Sequence, residues 1–191
     1  MIETLTADEK FTLLRLARQS LDNGVRGKEL PDLDETRLTP LLRADGASFV
    51  TLTVRGELRG CIGTLQAYQP LAADVREHAV AAGLRDYRFP PVSVGEMSRI
   101  HIEVSRLTEP QTLAYTDADK LLVKLRPGVD GVILNDGSRR ATFLPQVWEK
   151  IPDPAGFLSQ LCAKMGAAPN LWRHKHLEVK IYQVDEFQEQ K

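Results

Sequence analysis

A chain of 191 residues, 42% apolar and 27% charged, is long enough to bury a core and reads as one domain over residues 1–191 with room for a second lobe. Its 25 Lys and Arg nearly balance 26 Asp and Glu, a net charge of -1 that argues against a nucleic-acid partner for the molecule as a whole. No apolar run approaches membrane-spanning length, and the opening Met1 to Thr6 lacks a basic-then-apolar leader. A cytoplasmic protein with no membrane partner, and with Cys61 and Cys162 as free thiols, is therefore expected.

Thr6 and Glu9 form a capping box, after which Phe11, Leu14, Ala17 and Leu21 recur at helical spacing and Gly24 offers a stop. Residues 25 to 46 read as irregular, tied down by scattered leucines. From Ser48 the period changes to two: Val50, Leu52 and Val54 alternate with Phe49, Thr51 and Thr53, and Leu58 and Ile62 resume after Arg55-Gly56-Glu57, which predicts a hairpin. Pro70 starts a second helix with Leu71, Val75, Ala79 and Ala82 inward and Gly83 at its end. His78 follows Asp74 by four residues, the spacing of a helix-surface pair. Arg85 to Pro91 is an extended loop, Ser93 and Glu96 make a second capping box, and Ile100, Ile102 and Val104 mark a strand with His101 and Glu103 on its polar side.

Asp117 to Leu125 predicts a short helix. Asp136-Gly137 between Val132-Ile133-Leu134 and Ala141-Thr142-Phe143-Leu144 predicts a second hairpin. Asp153 and Pro154 open a helix with Phe157, Leu161 and Met165 along its seam and Gly166 as its stop, and Leu177, Val179 and Ile181 mark a final strand. Strands in hairpins and adjacent runs, without strict β-α-β alternation, imply an α+β fold: an antiparallel or mixed β-sheet flanked by helices.

Nucleotide-binding glycine loops, paired C-x-x-C, H-E-x-x-H and G-x-S-x-G motifs are all absent from the sequence. No cofactor and no metal are expected; His174 and His176 lack a third ligand at a recognisable spacing and read as surface residues. Cys162 sits beside a helix seam and reads as core filler.

Four segments taken together carry a resemblance: Leu58-Arg59-Gly60-Cys61-Ile62-Gly63-Thr64, Arg88-Phe89-Pro90-Pro91, Arg140 to Pro145 with Val147, and Leu161 to Gly166. In order and spacing they resemble the AMMECR domain family, and within it the bacterial form called AmmeMemoRadiSam system protein A. The resemblance implies a two-lobed α+β fold with an antiparallel sheet and a smaller second lobe. It also implies partnership with a MEMO-like protein, itself similar to iron-dependent ring-opening dioxygenases, and with a radical SAM-like protein. It brings no established activity or catalytic residues, and directs suspicion to Arg59 and Cys61 in the LRGCIGT strand.

Pairing Val54 with Leu58 across a three-residue loop would put Leu58, Gly60 and Ile62 on the aliphatic face and Arg59, Cys61 and Gly63 on the opposite one, lining a cleft; a one-residue slip would bury Arg59 and Cys61 among aliphatics. Three-residue loops place glycine last, whereas Gly56 stands in the middle. A guanidinium beside a thiol favours thiolate, so Cys61 assisted by Arg59 is the candidate catalytic pair. The bland alternative is that Cys61 fills core space. Gly60 and Gly63 weaken a strand and are expected where a ligand or a packed helix approaches closely. With Thr64, Asp86, Arg88 and Arg140 they make up the candidate ligand-binding set, although Asp86 and Arg88 equally suit anchoring of their loop, and Arg140 a solvated hairpin tip.

Overall fold

The computed structural model describes residues 4–190, so the reading of residues 1–3 lies outside it. In chain order the elements are α1 (Ala7–Val25), α2 (Pro40–Arg43), β1 (Asp45–Val54), β2 (Glu57–Gly63), β3 (Gln69–Pro70), α3 (Leu71–Leu84), β4 (Ile100–Leu107), β5 (Gln111–Thr112), α4 (Ala118–Lys124), β6 (Gly131–Asp136), β7 (Arg139–Phe143), α5 (Pro154–Lys164), α6 (Leu171–His174), β8 (Glu178–Tyr182) and β9 (Val184–Gln188). They fall into two compact units. The first takes the chain as far as Thr108 and again from Asp185, and the second runs from Glu109 to Val184. Helices with antiparallel strand pairs make the fold α+β, as the pattern of hairpins required.

The first unit is built on a sheet in the order β2-β1-β4-β9, with β3 pairing the start of β1. One face is aliphatic: Val50 and Leu52 of β1 and Ile102 and Val104 of β4 are buried with Leu13, Leu16, Ala17 and Leu21 of α1 and Leu71, Val75, Ala79 and Ala82 of α3. The two helices lie close because glycines stand where they meet. A Cβ on Gly83 would fall 2.4 Å from Leu21 Cδ1, and one on Gly24 3.0 Å from Val80 Cγ1.

The Thr6 capping box forms as expected: the Thr6 hydroxyl accepts the Glu9 amide while the Glu9 carboxylate accepts the Thr6 amide at 2.8 Å. Thr6→Ala removes one of these acceptors and is expected to lower stability by about 1 kcal/mol, read as a shift in the urea unfolding midpoint.

Several expectations need correction. Phe11 is exposed, because the inward stripe of α1 runs through Leu13, Leu16, Ala17 and Leu21. The helix passes through Gly24, and the left-handed residue after it is Gly27, at φ 65°. Likewise α3 runs through Gly83 to Leu84. The stretch between α1 and β1 contains a turn of helix, α2, with Leu42 buried. Asp74 and His78 are buried, not a surface pair: the Asp74 carboxylate accepts the Ser48 amide (2.8 Å) and hydroxyl (2.6 Å) and lies 3.1 Å from His78 Nδ1. It satisfies a β1 amide in the gap between the β2 and β3 pairings. The last strand is β9, not β8; it joins the first unit's sheet beside β4.

The second unit has a four-stranded sheet, β5-β8-β6-β7. Its β6–β7 turn is Gly137-Ser138, since Asp136 pairs with Arg139. The core gathers Val132, Leu134, Phe157, Leu158, Leu161 and Cys162, with Trp148 stacked on Phe157 at 3.7 Å between centroids. Asp153 caps α5 and Gly166 ends it at φ 75°, both as the sequence indicated. Cys162 is buried core, and His174 and His176 are exposed, also as expected, although His174 ends α6 and neither lies on a strand. No helix among the described residues is long and apolar enough to cross a membrane.

Candidate functional site

The β1–β2 hairpin turns on two residues, with Val54 opposite Glu57. Arg55 and Gly56 both take left-handed conformations, at φ 55° and 85°, the primed turn whose twist matches antiparallel strands. This corrects the three-residue loop and accounts for the place of Gly56. Continued without interruption, that register would set Arg59 opposite Leu52 and Cys61 opposite Val50, on the aliphatic face. A bulge prevents it. Thr53 pairs with Leu58 but Leu52 pairs with Gly60, leaving Arg59 as the extra residue. Beyond the bulge Cys61 faces Thr51, Ile62 faces Val50 and Gly63 faces Phe49, the alternation that the aliphatic pattern calls for. Before it, Leu58 sits opposite Thr53, 43% exposed, instead of on the buried face.

β2 is an edge strand, so its outward backbone groups need partners. At Cys61 the loop after α3 supplies both. The Cys61 amide donates to Asp86 Oδ2 at 2.9 Å, and the Cys61 carbonyl accepts from Arg88 Nη2 at 3.1 Å. Asp86 and Arg88 are themselves tied in a fork, Nε to Oδ1 at 2.9 Å and Nη2 to Oδ2 at 2.7 Å, and the Arg88 amide donates back to Oδ1. With its amide and carbonyl turned outward, Cys61 forms a non-hydrogen-bonded pair with Thr51, the type in which side chains approach most closely. The Thr51 hydroxyl accordingly donates to Cys61 Sγ at 3.3 Å. Cys61 as a residue is partly exposed.

Arg59 is held elsewhere, by Glu96 of the turn after the loop, with Nε 2.9 Å and Nη2 3.3 Å from the carboxylate oxygens. Glu96 also closes the Ser93 capping box, accepting the Ser93 amide at 2.9 Å. Each carboxylate is held below its ordinary range by its guanidinium first. Arg88, then the Cys61 amide, act on Asp86; Arg59, then the Ser93 amide, bring Glu96 to about 2. Asp86 in turn pushes Arg88 up.

The structure thus brings Arg59, Gly60, Cys61, Gly63, Thr64, Asp86 and Arg88 into one region of the first unit. Arg140 belongs to the second unit, exposed on β7 opposite Asn135. Gly60 is answered by a packed helix: its Cβ would lie 2.1 Å from the Ala82 carbonyl oxygen. A Cβ on Gly63 would meet Ser48 O at 2.3 Å and the Phe49 ring at 2.4 Å. The Thr64 amide donates to Ser48 O, and its hydroxyl accepts the Gln66 amide to start a turn. Thr51 and Glu96 were not anticipated as members of the region. Period-two pairing pointed to the first, while the Ser93 box marked the second only as a cap. Two hollows in this unit lie elsewhere, one between α1 and residues 31–38, the other between α1, the start of β4 and the end of β9; no candidate residue lines them.

A family model described as AMMECR1 matches residues 14–187. The chain is 36% identical to a protein of Thermofilum pendens, covering 97% of this chain and 92% of that one. It is also 36% identical to one of Methanothermobacter thermautotrophicus, over 97% and 96%. A crystal structure of an uncharacterised protein from Pyrococcus horikoshii superposes with a TM-score of 0.76 at 32% identity, covering 94% of this chain and 90% of that one.

Proposed function

The chain belongs to the AMMECR1 family, and from that membership we propose that it is a cytoplasmic ligand-binding or adaptor component, working with MEMO-like and radical SAM-like partner proteins through the surface around the LRGCIGT strand. The observation that carries this reading is the commitment of most of the polar groups there. Asp86 spends both carboxylate oxygens on Cys61 and Arg88, and Arg59 is paired with Glu96 through Nε and Nη2, its buried Nη1 alone left without a partner in that pair. Side chains tied in this way leave less ordering to be done on binding, a favourable property in a recognition surface. Apolar side chains project beside it: Leu58 on β2, Tyr87 (95% exposed) between Asp86 and Arg88, and Val94 in the turn that carries Glu96. Tyrosine and arginine, here Tyr87 beside the part-exposed Arg88, are the residue types enriched in protein-binding hot spots.

Mixing the purified chain with a MEMO-like and a radical SAM-like protein of the same organism is expected to give a complex by gel filtration, and Tyr87→Ala with Leu58→Glu to weaken it roughly tenfold or more. Absence of a complex with either partner sinks the adaptor reading. So does a Cys61→Ser variant that still assembles but loses all partner-dependent activity.

The second reading is an enzyme or enzyme subunit in which Cys61 is a nucleophile towards a small-molecule or modified macromolecular substrate. It is favoured by the Thr51 hydroxyl on the sulfur, a donor that steadies developing thiolate. In this reading the guanidinium on the Cys61 peptide is that of Arg88, while Arg59 positions the strand through Glu96.

A further inference from the structure

On the polar face of the first unit's sheet, three strands bring three functional groups into one row. Cys61 of β2 is opposite Thr51 of β1, and Thr51 is opposite Glu103 of β4. Because the Cys61 backbone faces away from β1, the Thr51 backbone faces β4. Cys61–Thr51 is thus the narrow type of antiparallel pair and Thr51–Glu103 the wide, hydrogen-bonded type, about 4.5 Å and 5.5 Å between Cα atoms, so that Cys61 and Glu103 stand about 10 Å apart along the backbone. Their side chains rise from the same face, as alternation demands, since Val50, Leu52, Ile102 and Val104 take the other. The register thus sets Cys61 and Glu103 on either side of Thr51, the order that a small group contacting both would need.

Resting on the thiol reading of the site, we propose that Glu103 is the proton donor that serves Cys61 in addition to an electrophilic double bond, the substrate class being a carbonyl or a conjugated carbonyl compound. The Cys61 thiolate forms a bond from Sγ to the electrophilic carbon. The π electrons move to the substrate oxygen, and that oxygen takes the proton of the Glu103 carboxyl, leaving a carboxylate that can take the proton back when the bond breaks. No electrons are gained or lost overall. A carboxyl group suits this task only if it keeps its proton at higher pH than usual. Burial raises Glu103, Glu186 raises it further, and His101 opposes both. Thr51, by donating to the sulfur, supports the other half of the pair.

The test needs no natural substrate. Acrylamide adds to a thiolate and must be protonated; iodoacetamide alkylates by displacement and needs no acid. Rates of Cys61 labelling by both are measured in the folded full chain across pH, in wild type, Glu103→Gln and Glu103→Asp, with Cys61→Ser as the blank for Cys162. The expected result is an acrylamide-to-iodoacetamide rate ratio that falls about threefold or more in Glu103→Gln, recovers in part in Glu103→Asp, and in wild type declines as pH rises through the carboxyl titration. Equal ratios in all three proteins overturn the role of Glu103 while leaving a reactive Cys61. Failure of both reagents on folded wild type overturns the thiol reading and this proposal with it. If Glu103→Gln does not fold, the Asp variant and the wild-type pH profile still decide.

Discussion

Replacing Asp86 with Ala is expected to destabilise the first unit by about 2–4 kcal/mol, because the change strips a partly buried amide and a guanidinium of a common, buried acceptor. The Asp86 side chain is only 2% exposed and accepts from the Cys61 amide, the Arg88 amide and two Arg88 nitrogens. Arg88, at 45%, can turn to water, and that moderates the loss. The reciprocal Arg88→Ala leaves the carboxylate buried with fewer donors and is expected to cost at least as much. The pH dependence has a definite sign. Asp86 is depressed in the folded state, so its contribution is full above the unfolded value of about 3.9 and is lost as pH falls below it. Glu96, held at about 2, loses its contribution between the unfolded value of about 4.3 and that point. Urea midpoints at pH 7 and pH 3 are the measurement. Wild type should lose more stability than Asp86→Asn over that interval, and equal losses would show that ionisation of Asp86 is not coupled to folding.

Gly60→Ala is expected to be more severe than its single methyl group suggests, about 3 kcal/mol or more, at the upper end of overpacking effects. The new Cβ would stand 2.1 Å from the Ala82 carbonyl oxygen, a backbone atom of α3 that cannot swing aside. Relief requires α3 to move off the sheet, and α3 carries Leu71, Val75, Ala79 and Ala82 into the core. Gly56→Ala gives the contrast, since no atom lies within 4 Å of that Cβ and the only penalty is the left-handed φ of 85°, about 1 kcal/mol. Thermal or urea unfolding of the two variants separates the mechanisms, and similar losses in both would count against the close packing of β2 on α3.

The two glycines show where reading a sequence succeeds and where it stops. Gly60 in a strand signals a close approach, but a ligand and a helix leave the same signal, and only the position of Ala82 decides for the helix. Asp74 and His78 show the limit from the other side. Four-residue spacing makes them neighbours on any helix, yet their burial depends on Ser48, 26 residues before Asp74, having an amide to satisfy. Phe11 was assigned inward by a periodicity that Leu13 and Leu16 share, and one-dimensional spacing could not say which stripe α3 would cover. The strand β9 was missed because its short run of alternating residues acquires meaning only beside β4.

By itself the sequence determined the helix starts at Thr6, Asp117 and Asp153, the aliphatic faces of β1, β4 and α3, the α+β class and the family motif, since each is set by contacts within a few residues or by a period that any register preserves. Tertiary structure alone decided how β2 meets β1. The Arg55-Gly56 turn favours one register near the loop, the aliphatic pattern favours another beyond it, and the bulge at Arg59 reconciles them. That extra residue rotates Cys61 out of the core and onto the face of Thr51 and Glu103, and the edge bonds from Asp86 and Arg88, 25 and 27 residues away, hold it there. Local preferences can name two conflicting registers; which one each half of the strand obeys is settled by partners distant in the chain.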